Sequence, residues 1–318
     1  MKFKKFIKTI KVIEIKNKKM KTPLRYAGGK SRAIKHISYL AKDEKTIISP
    51  FFGGGSLEIH WASLGKKVIG YDIFDVLVNF WNVLLNKNDE LALELKKIAP
   101  TNIEYKRVKE ELMKTSNTQK MLENWKTNTY KRTDIVNLND VELAAYYYFN
   151  HNCSYGPGYL GWGSSVYLKE SKWNNMISDI EKFKVSDMEV RHNSFENVLP
   201  IHNSEFIYLD PPYYTELDSD NKMHAAIYPM KNIPVHHDGF NHELLRDLLK
   251  NHKGKFVLSY NNCETIRDYY SEFNQSFPSW NYSMGNGETR IGKNRKEMGI
   301  SNSKESHEIL ITNFDYQF

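Results

Sequence analysis

Short runs of Val, Ile and aromatic residues alternate with stretches of helical period in two separate parts of the chain, and this rhythm predicts most of the architecture. Residues 46–51 and 66–72 read as buried strands on either side of a glycine loop at 52–56 and a helix over 57–64. Val76, Leu77, Phe80, Trp81, Leu84 and Leu85 then recur at helical spacing over 74–86. From 89 to about 184 the strand–helix rhythm breaks. Helical stretches at 89–98, 102–114 and 141–150 surround a polar region at 115–140, and a loop at 152–165 rich in Gly and aromatic residues shows no period. The rhythm resumes with strands at 188–192, 205–210, 255–260, 279–284 and 308–314, and helices at 241–251 and 264–273. The expectation is an α/β fold in which seven strands share one Rossmann-like sheet and a mainly helical segment is inserted after the second strand.

Composition narrows the partners. The 318 residues can bury a large core, and 45 Lys and Arg against 38 Asp and Glu leave a formal charge of +7, which favours a polyanionic partner. Cys153 and Cys263 lie far apart with no C-x-x-C spacing, so neither a disulfide framework nor a zinc site is expected, and the chain reads as intracellular. Residues 1–21 alternate Lys with Ile, Val and Phe but contain no uninterrupted apolar run, which argues against a signal peptide. They are taken as a basic arm, either solvated, in contact with DNA, or translated ahead of Met20.

Three places carry candidate chemistry. The strand at 205–210 ends in Asp210-Pro211-Pro212-Tyr213, where two prolines stop the ladder and hold a carboxylate and two carbonyls stiffly beside an aromatic ring. Such a turn can grip a flat, amine-bearing heterocycle. Upstream, strand, Phe51-Phe52-Gly53-Gly54-Gly55-Ser56, helix, strand and Asp72 follow the plan of a nucleoside-binding βαβ unit. Because the glycines are not spaced G-x-G-x-x-G and no G-K-[ST] is present, a ribose-bearing ligand without pyrophosphate fits best. Tyr26-Ala27-Gly28-Gly29-Lys30 is a Gly-Gly turn entering a helix, where backbone can approach a ligand. The 152–165 loop, with Tyr155, Tyr159 and Trp162, is either a loop packed on its own rings or a surface that meets nucleic acid. Arg290, Lys293, Arg295 and Lys296 stand in a loop at 285–306, either solvated or touching phosphates. His236-His237-Asp238 reads as solvated residues entering a helix, so no metal is expected.

These motifs, in this order and with an insertion before the last, resemble those of the Dam-like (D12 class, alpha group) DNA adenine N6-methyltransferases over nearly the whole chain from Thr22. Residues 240–244, 258–261 and 308–313 resemble that family's closing motifs. The resemblance implies a catalytic methyltransferase domain at 22–86 and 185–318, and a target-recognition domain at 87–184. It implies S-adenosylmethionine as cofactor, with Tyr26, Ala27, Gly28, Lys30, the 51–56 loop, Asp72, Ser194, Phe195 and Asp210 at its site. It implies double-stranded DNA as substrate, a flipped-out adenine as target, and Asp210 to Tyr213 as the catalytic turn. A cognate restriction endonuclease and a bacterial or phage cytoplasm complete that expectation. Tyr26 replaces the tryptophan usual in the GATC enzymes and the 152–165 loop differs from theirs, so the DNA word is not specified. Alternatives are an N4-cytosine, RNA or protein amine methyltransferase on the same fold, or a silent DNA-binding subunit.

Overall fold

The computed structural model describes residues 20–26, 28–124, 134–214, 239–278, 281–283, 303–305 and 308–316. Lys30–Arg32 forms a 3-10 turn that passes into α1 (Ile34–Ile37) and a second turn, Ser38–Ala41. The expected unit follows as β1 (Thr46–Ser49), α2 (Ser56–Ser63) and β2 (Lys67–Asp72), and α3 (Asp75–Asn86) buries the apolar stripe that its spacing defines. The insertion is helical: α4 (Asn88–Lys96), α5 (Asn102–Lys114), α6 (Ser116–Asn124), α7 (Asp140–Asn152) and α8 (Glu170–Glu181). A capping box opens α7, with Asn139 Oδ1 accepting from the Glu142 backbone and Glu142 Oε2 from the Asn139 backbone, each at 3.0 Å. The sequence did not signal α6 or α8. The first lies in the polar stretch, and the second buries only Trp173, Ile177 and Ile180, too sparse a stripe to stand out.

After the insertion come β3 (Met188–His192), α9 (Phe195–Ile201), β4 (Ile207–Leu209), α10 (His242–Lys250), β5 (Phe256–Asn261) and α11 (Glu264–Tyr269). The chain ends with β6 (Asn274–Ser276), β7 (Asn281–Ser283), β8 (Ser303–Glu305) and β9 (Glu308–Thr312). Among the described residues seven strands form one sheet in the order β3-β2-β1-β4-β5-β9-β6, in which β9 runs opposite to the other six. The expected number of strands is met, but one member differs. The run at 279–284 contributes β7 to a separate two-stranded ribbon with β8, and the sheet edge is made instead by Asn274–Ser276. That edge has no hydrophobic alternation to betray it, and Gln275 Nε2 ties it to the end of α11 by donating to the carbonyls of Arg267 at 2.8 Å and Tyr270 at 3.0 Å.

Strand alternation divides the interior in two. Ile48, Ile207, Leu209, Leu258, Ile309 and Ile311 face α9, α10 and α11. Ile47, Val68, Tyr208, Val257 and Leu310 face the other way, into a cluster that runs without a break through α3 and on into the insertion. There Phe149, fully buried on α7, meets Trp173 edge-on at 5.0 Å and Tyr105 at 5.9 Å. Because that cluster is continuous with the sheet, Phe149→Ala is expected to lower the stability of the whole chain by about 3–5 kcal/mol in one cooperative transition. Urea unfolding followed by both circular dichroism and tryptophan fluorescence checks this; an early transition seen only by fluorescence would show that the insertion unfolds alone.

Candidate active site

The strands leave β1 in one direction through β2 to β3, and the chain returns to place β4 on the other side of β1. At such a reversal the segments leaving the carboxyl ends of the two central strands part and open a crevice. Ile48 pairs with Ile207 across this seam, so the glycine loop after β1 and the acid-Pro-Pro turn after β4 emerge side by side. Between them lies a cavity of about 430 Å³. It is lined by Tyr26, Gly28, Lys30, every residue from Phe51 to Ser56, Asp72, Ser194, Phe195 and the whole turn from Asp210 to Tyr213. Five segments far apart in sequence thus meet at one place. Ala27 lies outside the described residues, as do Arg290, Lys293, Arg295, Lys296, the 1–19 part of the arm and the 236–238 segment.

The glycine loop is held from three sides. Asp72 accepts from the backbone of Gly53 through one oxygen and of Phe74 through the other, each at 2.9 Å, and Trp81 Nε1 donates to the Gly53 carbonyl at 3.0 Å. Ionised carboxylate oxygens offer further lone pairs, so Asp72 can hold the loop and still receive ribose hydroxyls. Close approach explains two of the glycines. A Cβ on Gly54 would stand 2.5 Å from that of Tyr26, and one on Gly70, in mid-strand, would stand 2.0 Å from the Phe52 ring. Gly70 carried no sequence motif, although a glycine inside an apolar strand is itself a sign of close packing.

At the other end of the cavity wall, Phe51, Phe195 and Phe240 meet pairwise with ring centroids 5.1–5.7 Å apart, forming an apolar face suited to a flat heterocycle. Ser194 caps α9 by accepting from the Glu196 backbone at 3.4 Å, which fixes Phe195 in the first turn. Phe240 belongs to the 240–244 motif but was not expected at the cavity, since nothing in that motif by itself points to a ring against Phe51 and Phe195.

The turn after β4 carries the charge. Lys30 Nζ, 4% exposed, lies 2.7 Å from Asp210 Oδ1 and 3.8 Å from Glu308 Oε1, and donates to the Gly28 carbonyl at 3.3 Å and to the Tyr213 hydroxyl at 3.2 Å. The Tyr213 hydroxyl in turn donates to Glu308, which also accepts from Ser259 Oγ at 3.2 Å. Burial pushes the Asp210 carboxyl up to about 6, with Lys30 opposing and Glu308 adding to the rise. Nearby Glu58, buried in the first turn of α2 and accepting from Ser49 Oγ at 2.7 Å, is pushed up to about 7 by burial, with a smaller upward push from Asp210. Glu308 opens the 308–313 motif but carried no expected role, and the one signal for Glu58 was a carboxylate at the head of an apolar run.

On the insertion, Tyr155 and Trp162 are exposed at 51% and 71%, joined by a hydrogen bond from the Tyr155 backbone to the Trp162 carbonyl at 2.7 Å. The expectation that Tyr159 meets nucleic acid is corrected. Its ring is buried against Phe74 and Tyr147, and its hydroxyl bonds Thr118, because the loop folds inward there to complete the core of the insertion. His151 stacks on Tyr26 at 5.7 Å and pairs through Nε2 with the Arg25 carbonyl at 2.9 Å; burial brings it down to about 4, so it is neutral at ordinary pH.

Residues 26–284 match the D12 class of N6 adenine-specific DNA methyltransferases. The chain belongs to that family. Among curated proteins, similarity extends to modification methylase StsI of Streptococcus sanguinis, 25% identical over 94% of this chain and 43% of that protein. It extends also to the type II methyltransferase M.FokI of Planomicrobium okeanokoites, 24% identical over 97% of this chain and 46% of that one. The chain therefore spans less than half the length of these curated relatives. A solved structure of precorrin 8W decarboxylase from Methanobacterium thermoautotrophicum aligns over 89% of both chains at 9% identity, with a TM-score of 0.33, too remote to bear on function. Among the described residues no helix is long and apolar enough to cross a membrane.

In this D12 chain the ion pair with Lys30 restrains the rise that burial imposes on Asp210. Lys30→Met is therefore expected to move the Asp210 titration above its present position near 6, read from the pH dependence of its side-chain carboxyl carbon signal. An unchanged or lower midpoint would mean that Lys30 does not set the charge of Asp210.

Proposed function

We propose that the chain is a site-specific DNA methyltransferase that transfers a methyl group from S-adenosylmethionine to N6 of an adenine flipped out of duplex DNA. The observation that carries this reading is the shared cavity, in which the Asp210-Pro211 turn opens beside the glycine loop that Asp72 holds. The residues fit the donor: Asp72 for ribose hydroxyls, the three phenylalanines for the adenine ring, and buried carboxylates for positive charge. Tyr26, Gly28, Lys30, Phe51 to Ser56, Ser194 and Phe195 are the remaining proposed donor contacts.

When bound, S-adenosylmethionine supplies an electrophilic methyl group on a sulfonium. The chain has to make the exocyclic amine nucleophilic, because its lone pair is delocalised into the adenine ring. The Asp210 carboxylate and the Pro211 carbonyl accept the two amine hydrogens, which favours a pyramidal nitrogen with its lone pair facing the methyl group. Lys30 favours the ionised, acceptor-only form of Asp210. Methylation would leave the amine cationic, and Asp210, already one of its two acceptors, would take up the surplus proton. Pro212 stiffens the turn, and Tyr213, with its hydroxyl fixed by Lys30 and Glu308, offers its ring as a stacking face for the base. Extruding the base costs on the order of a few kcal/mol, which stacking and phosphate contacts offset.

We place DNA against the face that displays Tyr155 and Trp162, with the insertion at 87–184 as the recognition unit and the basic residues Arg290 to Lys296 at phosphates. The names of the relatives, a modification methylase and a type II methyltransferase, favour a restriction–modification setting, in which a cognate endonuclease would be the partner.

Asp210→Ala is expected to abolish transfer while S-adenosylhomocysteine binding persists, as measured by labelled-methyl incorporation alongside calorimetry. Nucleoside analysis of DNA from expressing cells is expected to yield N6-methyladenine; N4-methylcytosine, or no modified base, would overturn the assignment. Transfer by the unaltered chain is expected to fall as pH drops below about 6, where Asp210 takes up a proton and loses an acceptor.

A further inference from the structure

The amino-acid end of S-adenosylmethionine is a zwitterion, so a cavity that takes it must meet one anion and one cation besides the sulfonium. Lys30 is the only Lys or Arg among the described residues lining the cavity, and it suits the carboxylate of that end. The lining carboxylates divide by position. Asp72 stands at the end of β2 holding the glycine loop, Asp210 faces the target amine, and Glu196 is exposed at the rim. Glu58 is left. It lies directly after the glycine loop, 3% exposed, with Ser49 Oγ on one oxygen, and is close enough to Asp210 for the two charges to repel. An apolar side chain of similar size would pack there without the cost of desolvating a carboxyl, so packing gives no reason for an acid at this position.

We propose that Glu58 is a cofactor-binding residue that receives the α-ammonium group of the donor, in an inference that rests on the donor reading above. The groups facing it are Ser49 from β1 and Asp210 from the end of β4; Lys30, which pairs with Asp210 and Glu308, and Asp72 line the same cavity. Burial pushes the Glu58 carboxyl up to about 7. An arriving ammonium stabilises the ionised form and lowers that value, so binding releases a proton wherever Glu58 was protonated beforehand. The sign follows: affinity rises as pH increases from about 6.5 to about 8, the upper part of which lies beyond the titration of Asp210 near 6.

Calorimetry on the full chain tests this with two ligands that lack the sulfonium. S-adenosylhomocysteine keeps the amino-acid end, and 5′-methylthioadenosine lacks it. Glu58→Gln is expected to weaken S-adenosylhomocysteine on the order of tenfold or more while leaving 5′-methylthioadenosine unchanged. In the unaltered chain, S-adenosylhomocysteine binding near pH 7 is expected to release a fraction of a proton, measured across buffers of different ionisation enthalpy. That second measurement does not depend on how the variant folds. Equal losses for both ligands in Glu58→Gln, no loss for either, or pH-independent affinity without proton release in the unaltered chain would overturn the role of Glu58. Failure of the unaltered chain to bind S-adenosylhomocysteine at all would instead overturn the donor reading itself.

Discussion

The pairing of β1 with β4 is the constraint from which the site follows. Both strands are parallel and buried on both faces, so the segments leaving their carboxyl ends emerge at the same edge of the sheet, and the reversal of strand order keeps any helix from filling the space between them. Neither end can drift. Phe52 donates to the Tyr71 carbonyl at 2.9 Å as it leaves β1, and two prolines stiffen the chain as it leaves β4. A cavity with rigid walls is therefore part of the fold and does not depend on a ligand to shape it.

Within that cavity acids stand close together. Asp210 and Glu308 approach one buried ammonium, Lys30, while Glu58 lies near Asp210 and accepts from Ser49, and burial raises Asp210 and Glu58 toward neutrality. Grouping acids in this way costs stability, since each is desolvated and they repel one another. The two hydrophobic clusters on either side of the sheet offset that cost. A ligand with two positive centres and one negative, as the proposed donor has, would relieve it.

The insertion is bound to the same site through the N-terminal segment. Arg25 donates to the Ser154 carbonyl at 3.1 Å and lies 3.4 Å over the Tyr167 ring, Asn152 receives the Arg25 backbone at 3.0 Å, and His151 stacks on Tyr26. The loop that shows Tyr155 and Trp162 to solvent is therefore tied, through one residue, to the ring that packs on the glycine loop. Movement at either end would strain the other.

The sequence by itself determined the order of strands and helices around the glycine loop, the acid at each strand end and the stiffness of the Asp210-Pro211-Pro212 turn, because these depend on local period and on proline and glycine geometry. It could not determine which distant residues complete the site. Glu308 reaches Tyr213 across 95 positions, Phe240 comes from a motif that does not itself point to the cavity, and His151 arrives from a segment with no motif of its own. Nor could it separate Tyr159 from Tyr155 and Trp162 in a loop without period, since burial there depends on helices that come together only in three dimensions. The edge strand at Asn274–Ser276 was equally hidden, because backbone pairing with β9 defines it and no pattern of side chains does. Local chemistry is written along the chain, whereas burial and the pairing of remote charges exist only once the sheet has closed around them.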